Sequence, residues 1–452
     1  MTTRWSRPAT GGELARLTVA AIAVLVLSSL VVWHAFPGDR KTTTEANVYY
    51  DFAHPVAGGA VPYRDVTIEY PPGAIPVFLL PVWLRGSTDG ARWDDAAQND
   101  AARRYESALT MLLVAILAAT LVVVGLALAR LEASVAAAVQ GLAPLAVSPL
   151  LLGALPLTRY DAWPALLTSL GLLAALSART RTSGVALGLA ASAKLYPLVL
   201  LPGLGVRAWR AGGARRVVEL LASCAAAGAA VVVPFLLFAP GETAHAIRLQ
   251  LARGLQMESL GGSLLAAAWK LSLSLDAHGV LPGSLPVEAC QRCDGIVAAE
   301  LTGTLAGLVG LASLAAVLAA LWLVGRRVAA APVDAATAVW AAAVSVSAVV
   351  VLGKVLSAQF LLWLLPLVPL VAGRRGRNAT GLLVAAALMT NVWFPSLYRD
   401  YVNVLAPGPI AFLLVRNALL VAMLWVLLRP EPAEGVGVPA LRKHVGPSRT
   451  DA

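Results

Sequence analysis

The sequence predicts an all-α polytopic membrane protein. Three observations carry that reading. Hydrophobic residues make up 58% of the 452-residue chain and charged residues only 13%, whereas soluble domains carry roughly 25% charged residues. Mean hydropathy is +0.75. The apolar residues fall into long runs, and about 20 such residues are what an α-helix needs to cross a hydrocarbon core of about 30 Å. The net charge of +10 does not define a nucleic-acid face. The basic residues sit in short clusters between apolar runs, which is the pattern that orients membrane helices.

The first run, 17–36, follows Arg4, Arg7 and Arg16. It is too long for the apolar region of a signal peptide and lacks a small-residue cleavage site, so it reads as an uncleaved first span. Further spans are expected at 107–129, 133–152, 162–176, 215–239, 299–324, 333–352, 357–373, 378–394 and 408–428. The run 183–206 is different. Basic residues flank both of its ends, Arg179 and Arg181 before it and Arg207, Arg210, Arg215 and Arg216 after it. A single crossing would expose one cluster outside. Its middle reads Lys194-Leu195-Tyr196-Pro197, a charge beside a helix breaker. A re-entrant pair of half-helices satisfies both facts.

With that choice about ten crossings, one re-entrant pair and two cytoplasmic termini are expected. Arg179/Arg181, Arg207–Arg216, Arg326/Arg327, Arg374/Arg375/Arg377 and the tail with Arg442 and Lys443 then all lie inside. The membrane domain is 1–428, and the Pro/Gly-rich tail 429–452 is expected to be disordered and cytoplasmic. Two extracytoplasmic loops are long, about 37–106 and about 240–298, and loops of that length tend to carry function. A short apolar piece at 74–84, bounded by prolines, suits an interfacial or re-entrant helix. No fixed-period repeat is found.

Several classes of chemistry find no support. The five histidines are scattered without metal spacing. Cys224 lies in an apolar run and reads as packing. Cys290 and Cys293 form a CxxC without the second ligand pair a structural zinc wants, so a small disulfide loop or free thiols are the alternatives. No glycine-rich phosphate loop follows a strand, so no nucleotide-binding fold is expected. No metal and no cofactor are expected.

The unusual polar residues collect on the outer side. The first loop carries Asp51, the stretch Tyr63-Arg64-Asp65, and Glu69-Tyr70. A carboxylate in a partly dry site is a candidate general base; in a solvated loop it is ordinary. Arg159-Tyr160-Asp161 is either a salt-bridged helix cap or part of a site. Lys194 and Lys354 sit in apolar sequence, where a charge faces a cavity or snorkels to the interface. Arg253, with Gln256 and Glu258 close behind, suits an anionic phosphate or a solvated amphipathic helix. Trp393 and Tyr398 suit an interfacial belt better than a sugar-stacking surface.

Five segments, "GGAVPYRDVTIEYPPGAIP" at 58–76, "RYDAWPALL" at 159–167, "GLAASAKLYPLVLLP" at 188–202, "RGLQMESL" at 253–260 and "KVLSAQFLLWLLPL" at 354–367, occur in a telling order. By them the chain resembles glycosyltransferase family 87, the polyprenyl-phosphate-mannose-dependent mannosyltransferases of the GT-C superfamily. The resemblance implies a GT-C-like fold and a site outside the cytoplasm, in the cell inner (plasma) membrane. It implies transfer of a hexose, in the family mannose, from a polyprenyl-phosphate donor to a glycan or glycolipid acceptor with inversion. It also implies an acidic base just after the first span. The family pattern there is Asp, three residues, then Tyr; this chain has Glu45 and Tyr49. Asp51 and Asp65 are alternative bases. Arg159, Lys194, Arg253 and Lys354 are the candidates to hold the departing phosphate. Tyr63, Arg64, Glu69, Tyr70, Tyr160, Asp161, Tyr196, Gln256, Glu258 and Gln359 are candidate substrate contacts. Two other readings stand beside this one: a transporter or flippase of a lipid-linked sugar, and a non-catalytic membrane protein of the cell envelope. A transporter would carry its charges at mid-membrane and show repeated halves.

Overall fold

In the computed structural model, residues 7–35, 46–85, 95–280, 284–293 and 296–429 are described. Helices form from the apolar runs because neither a lipid-facing nor a buried backbone can leave its N–H and C=O groups unpaired. The first, α1 (Gly11–Ala35), begins with a reciprocal cap. The Glu13 N–H donates to Thr10 Oγ1 at 3.2 Å and the Thr10 N–H to Glu13 Oε2 at 2.9 Å. After it come α2 (Ala46–Ala57) and α3 (Ile75–Arg85). The latter is the short apolar helix expected at 74–84; it buries Ile75, Val77, Phe78, Leu79 and Val82.

The long α4 (Asp95–Arg130) follows. The span expected at 133–152 is broken into α5 (Val135–Ala146) and α6 (Ser148–Leu152), and α7 (Leu155–Thr158) follows. Pro149 and Pro156 open the two short pieces, where a missing N–H costs nothing. Next is α8 (Ala162–Leu176).

The chain then turns back as the flanking arginines required. Helix α9 (Thr180–Ala193) ends at Lys194, whose extended backbone stops it. A 3₁₀ turn, Tyr196–Leu200, leads into α10 (Leu201–Phe238). Helix α10 is two helices joined at Gly212–Gly213, and Gly213 has φ 64° and ψ −159°, a conformation that requires glycine. Its first half returns to the basic end, where Arg210 donates to the carbonyls of Val328, at 3.1 Å, and Ala331. Its second half runs back along α9. The two approach at glycines: a Cβ on Gly184 would lie 2.4 Å from Leu220 O, and one on Gly188 2.1 Å from Cys224 O. This is a small-xxx-small interface. Gly188→Val is expected to destabilise the protein by about 1–3 kcal/mol, read as a lower unfolding midpoint in detergent.

The segment expected as a long loop at 240–298 is largely structured. It holds α11 (Pro240–Ala252), β1 (Leu255–Gln256), α12 (Leu260–Ala277) and β2 (Glu288–Cys293). With β3 (Ile296–Thr302) they give a small antiparallel sheet in the order β1-β3-β2, in which Leu255 pairs with Leu301 and Gln256 with Glu300. The span expected from residue 299 therefore starts later, at α13 (Thr304–Ala330). The side chains of Cys290 and Cys293 lie outside the described residues.

Helices α14 (Ala335–Leu352), α15 (Gly373–Val392), α16 (Tyr398–Val404) and α17 (Pro407–Leu428) complete the chain. The span expected at 357–373 is not an α-helix. It forms 3₁₀ turns at Ala358–Trp363 and Val368–Leu370, almost wholly buried. Pro366 and Pro369 remove two backbone donors and clash with the preceding turn. Surrounding protein makes this irregular backbone tolerable at membrane depth.

Seven of the described helices are long and apolar enough to cross a membrane, and shorter apolar helices lie between them. The outward face of α13 exposes Leu308, Leu311, Leu314, Leu318 and Trp322. Such a stripe suits lipid and would aggregate in water. The chain is an all-α polytopic membrane protein, with one small sheet among the described residues.

Candidate functional site

Stretches far apart in sequence meet at one end of the helix bundle around a cavity of about 280 Å³. The first comes from Glu69-Tyr70-Pro71-Pro72-Gly73. Pro71 is extended and Pro72 opens a 3₁₀ turn, as its fixed φ favours. Gly73 is pressed against the end of α9: a Cβ there would stand 2.6 Å from the Ala193 N. Trp163 Nε1 donates to Gly73 O at 3.1 Å, and Tyr63 Oη to Tyr70 O at 2.6 Å. Tyr49 stacks on Phe78 with ring centroids 4.4 Å apart, and meets Tyr70 and Tyr160 edge-on. These contacts fix Glu69 and Tyr70 in the cavity wall, where Gln250 Nε2 also holds the Glu69 carbonyl at 2.9 Å.

Asp161 stands at the start of α8 but makes no cap hydrogen bond with its side chain. Its Oδ1 accepts instead from Lys194 Nζ at 2.6 Å and from Trp363 Nε1 at 2.8 Å. Asp161 therefore does not cap its helix with its side chain, and Arg159, Tyr160 and Asp161 all line the cavity. Lys194 Nζ lies over three rings, 4.9 Å from Tyr160, 5.0 Å from Phe360 and 5.1 Å from Trp363. Trp363 is itself sandwiched between Tyr196 and Phe360, each centroid 4.0 Å away. Lys194 is thus not snorkelling. It is held by one carboxylate and an aromatic cage.

Arg159 lies 6.0 Å from the Phe394 ring and is buried on the cavity wall. Burial pushes its guanidinium down to about 10, partly offset by Asp161, Tyr398 and Glu258; at neutral pH it remains a cation. Arg253 faces the cavity from the exit of α11, and its Nε has no hydrogen-bond partner among the described residues. Gln256, buried on β1, likewise leaves Oε1 without one. Glu258 accepts from Trp393 Nε1 at 2.6 Å, and Arg416 and Asn417 of α17 donate to its carbonyl at 3.0 and 3.3 Å. Burial raises its carboxyl, against the pull of Arg416 and Trp393. Trp393 is fully buried, so it is a support of the site and not part of an interfacial belt.

Ten expected residues thus converge on the cavity: Glu69, Tyr70, Arg159, Tyr160, Asp161, Lys194, Arg253, Gln256, Glu258 and Gln359. Tyr63 and Tyr196 stand behind the wall. Four others lie away from it. Arg64 and Asp65 pair with each other at 2.9 Å on the surface, and the Arg64 bond holds Asp65 down to about 2. Asp51 is exposed on α2, with its carboxyl raised by partial burial. Lys354 faces a second cavity. Glu45 lies outside the described residues; Ala46 begins α2, and Val48 of that helix lines the polar cavity. Gln250, Phe360 and Phe394 were not foreseen. Arg416-Asn417, polar in mid-span, was a legible signal that went unread.

The second cavity is an apolar groove of about 700 Å³. Its walls include Ala306, Gly307, Gly310 and Leu314 of α13, with Leu251, Leu255, Lys354 and Val355. Strand β1 separates the two spaces. Successive residues of a strand point to opposite faces: Gln256 lines the polar cavity and Leu255 the groove. The Gln256 N–H donates to Lys354 O at 2.9 Å, which ties the strand to the segment just after α14.

The polar cavity and the apolar groove thus lie side by side among the apolar helices. The model of glycosyltransferase family 87 matches residues 68–270, a stretch that supplies most of the cavity wall. Over that stretch the chain is similar to glycosyltransferase family 87, which supports a membrane glycosyltransferase. No curated protein matches the chain.

Proposed function

We propose that the protein transfers a hexose, with mannose the sugar the family favours, from a polyprenyl-phosphate donor to an extracytoplasmic glycan or glycolipid. One observation carries this reading. A cavity holding Arg159, Lys194 and Arg253 shares a wall with an apolar groove, at whose rim Lys354 stands. A lipid-linked anionic donor needs both environments within a few ångströms. The acceptor oxygen attacks the anomeric carbon as its proton passes to a carboxylate. The bond from that carbon to the phosphate oxygen breaks, and the lipid phosphate leaves as an anion. Cations already in place stabilise that developing charge. Inversion follows from a single displacement.

Glu45 is the base in this proposal, the position matching the family's Asp, and Asp51 and Asp65 stay in the test set. Glu69 and Glu258 hold sugar hydroxyls, as do Tyr70, Gln256 and Gln359. The outer face is the catalytic side, and both termini are cytoplasmic.

The test is transfer of radiolabelled mannose from polyprenyl phosphate mannose in membranes containing the protein. Transfer above that of membranes without it supports the reading. No transfer from any polyprenyl-phosphate sugar refutes it and favours a transporter. The groove makes a separate prediction. Gly307→Trp fills it without touching the cavity, and is expected to raise KM for a long-chain donor about tenfold or more, roughly 1.4 kcal/mol. A water-soluble short-chain donor should be unaffected.

A further inference from the structure

Arg416 is fully buried near the middle of α17, and the glycosyl-transfer reading makes no use of it. An ionisable side chain at such depth faces a partner or a working site. Its Nη2 donates to Glu258 O at 3.0 Å, and Nδ2 of the neighbouring Asn417 reaches the same carbonyl at 3.3 Å. Tyr401 Oη of α16 donates to the preceding carbonyl, Met257 O, at 2.7 Å. Trp393 Nε1 takes the side chain, donating to Glu258 Oε1 at 2.6 Å. The C-terminal part of the chain thus holds residues 257 and 258 from behind, for none of these four side chains lines the cavity. All four lie beyond residues 68–270, so the family match assigns them nothing.

A carbonyl needs no guanidinium. Asn417 reaches Glu258 O as well, and it is itself held by Nδ2 donating to Ser263 Oγ at 2.8 Å. Burying a guanidinium costs far more than burying an amide. Two of its nitrogens, Nε and Nη1, have no hydrogen-bond partner among the described residues, so hydrogen bonding does not offset that cost. What remains is charge, and the carboxylate that acts on Arg416 is that of Glu258. The two charged groups make no contact ion pair, since Nη2 is spent on the backbone. A pair that only stapled the helices would close the carboxylate onto the guanidinium. Here one oxygen takes the indole and the side chain lines the cavity, which leaves Oε2 to a donor inside it. The other charged or titratable groups acting on Glu258 are Arg159 on the cavity wall and the phenols of Tyr398 and Tyr401. Burial pushes the Glu258 carboxyl up, and Arg416 is the largest of the influences that pull it back.

We propose that Arg416 is a positioning residue of the sugar site: from outside the cavity it holds the Glu258 backbone and balances the Glu258 charge, so that the free carboxylate oxygen is presented to a sugar hydroxyl. The sugar hydroxyl rests on the glycosyl-transfer reading; the link between Arg416 and Glu258 does not.

The full-length protein carries the test, with two readouts. The first is KM and kcat for polyprenyl phosphate mannose in membranes. Arg416→Gln is expected to raise KM about tenfold, the scale of one hydrogen bond to a charged group, with kcat falling less, and Glu258→Gln to do the same. Arg416→Gln/Glu258→Gln should be no worse than Glu258→Gln alone, because Arg416 acts through that carboxylate. The second readout needs no turnover. In detergent, pH-difference infrared spectra follow the protonated-carboxyl band that Glu258→Gln lacks. Removing the cation disfavours the carboxylate, so Arg416→Gln should move the midpoint of that band up by about one pH unit or more, and Arg416→Lys should restore most of it. A merely structural role would lower the unfolding midpoint and leave the band in place. An unmoved band overturns the proposal, and so does a double variant whose KM exceeds that of Glu258→Gln. Should Arg416→Gln not fold, the double variant strands neither charge and still gives the second comparison. Wild type that transfers no sugar overturns the sugar role together with the reading beneath it, while the band still decides the link between Arg416 and Glu258.

Discussion

Asp161→Ala is expected to abolish measurable transfer and to destabilise the fold by about 3–5 kcal/mol, the cost of stranding a buried charge. Asp161 is almost wholly buried, and it is the described ion-pair partner of Lys194. It also takes the Trp363 indole N–H. Removing it leaves an ammonium in an aromatic cage without a counter-charge, and an indole donor without an acceptor. The double change Asp161→Ala/Lys194→Met should recover much of the stability, because neither charge is then stranded. It should recover none of the transfer if Lys194 holds the leaving phosphate. Thermal unfolding in detergent beside the radiolabel assay separates the two effects. A double variant that transfers sugar normally would remove Lys194 from the reaction.

The second large effect concerns proton removal. Glu45→Gln keeps the size of the side chain and removes its basicity, and is expected to lower kcat by about 10²–10⁴-fold, the usual worth of a general base. KM should change little. Glu69→Gln is expected to behave oppositely, raising KM through a lost contact to a sugar hydroxyl while kcat falls less. Asp51→Asn and Asp65→Asn should leave both constants near wild type, since neither lines the cavity and Asp65 is tied to Arg64. Reversal of the Glu45 and Glu69 patterns would move the base to Glu69.

The legible parts of this molecule were those governed by solvent preference. Long apolar runs became helices because lipid leaves the backbone no other option. Charge symmetry around 183–206 was enough to require a turn at Lys194–Pro197, because one flank could not be placed outside. What could not be read depends on neighbours. Residues 357–373 are apolar enough to span, yet their prolines and burial give 3₁₀ turns. Trp393 has the composition of an interfacial residue, and only its contact with Glu258 shows its place. Lys354 and Arg253 look alike in sequence, but one strand sends them to different spaces.

That strand sets a constraint on how the chain can change. Leu255 and Gln256 are the frontier between a wet chamber and a greasy one, and the frontier is a single backbone thick. Deleting or inserting one residue beside Gly254 would shift the pairing with Leu301 and Glu300 and exchange the two faces. Leucine would enter the polar cavity and an amide would enter the groove, so under the proposed function one slip would spoil recognition of both halves of the substrate. Substitutions on the two faces, by contrast, can accumulate independently. In the proposed reaction, preference for the sugar and preference for the chain that carries it would therefore be separable properties of neighbouring residues.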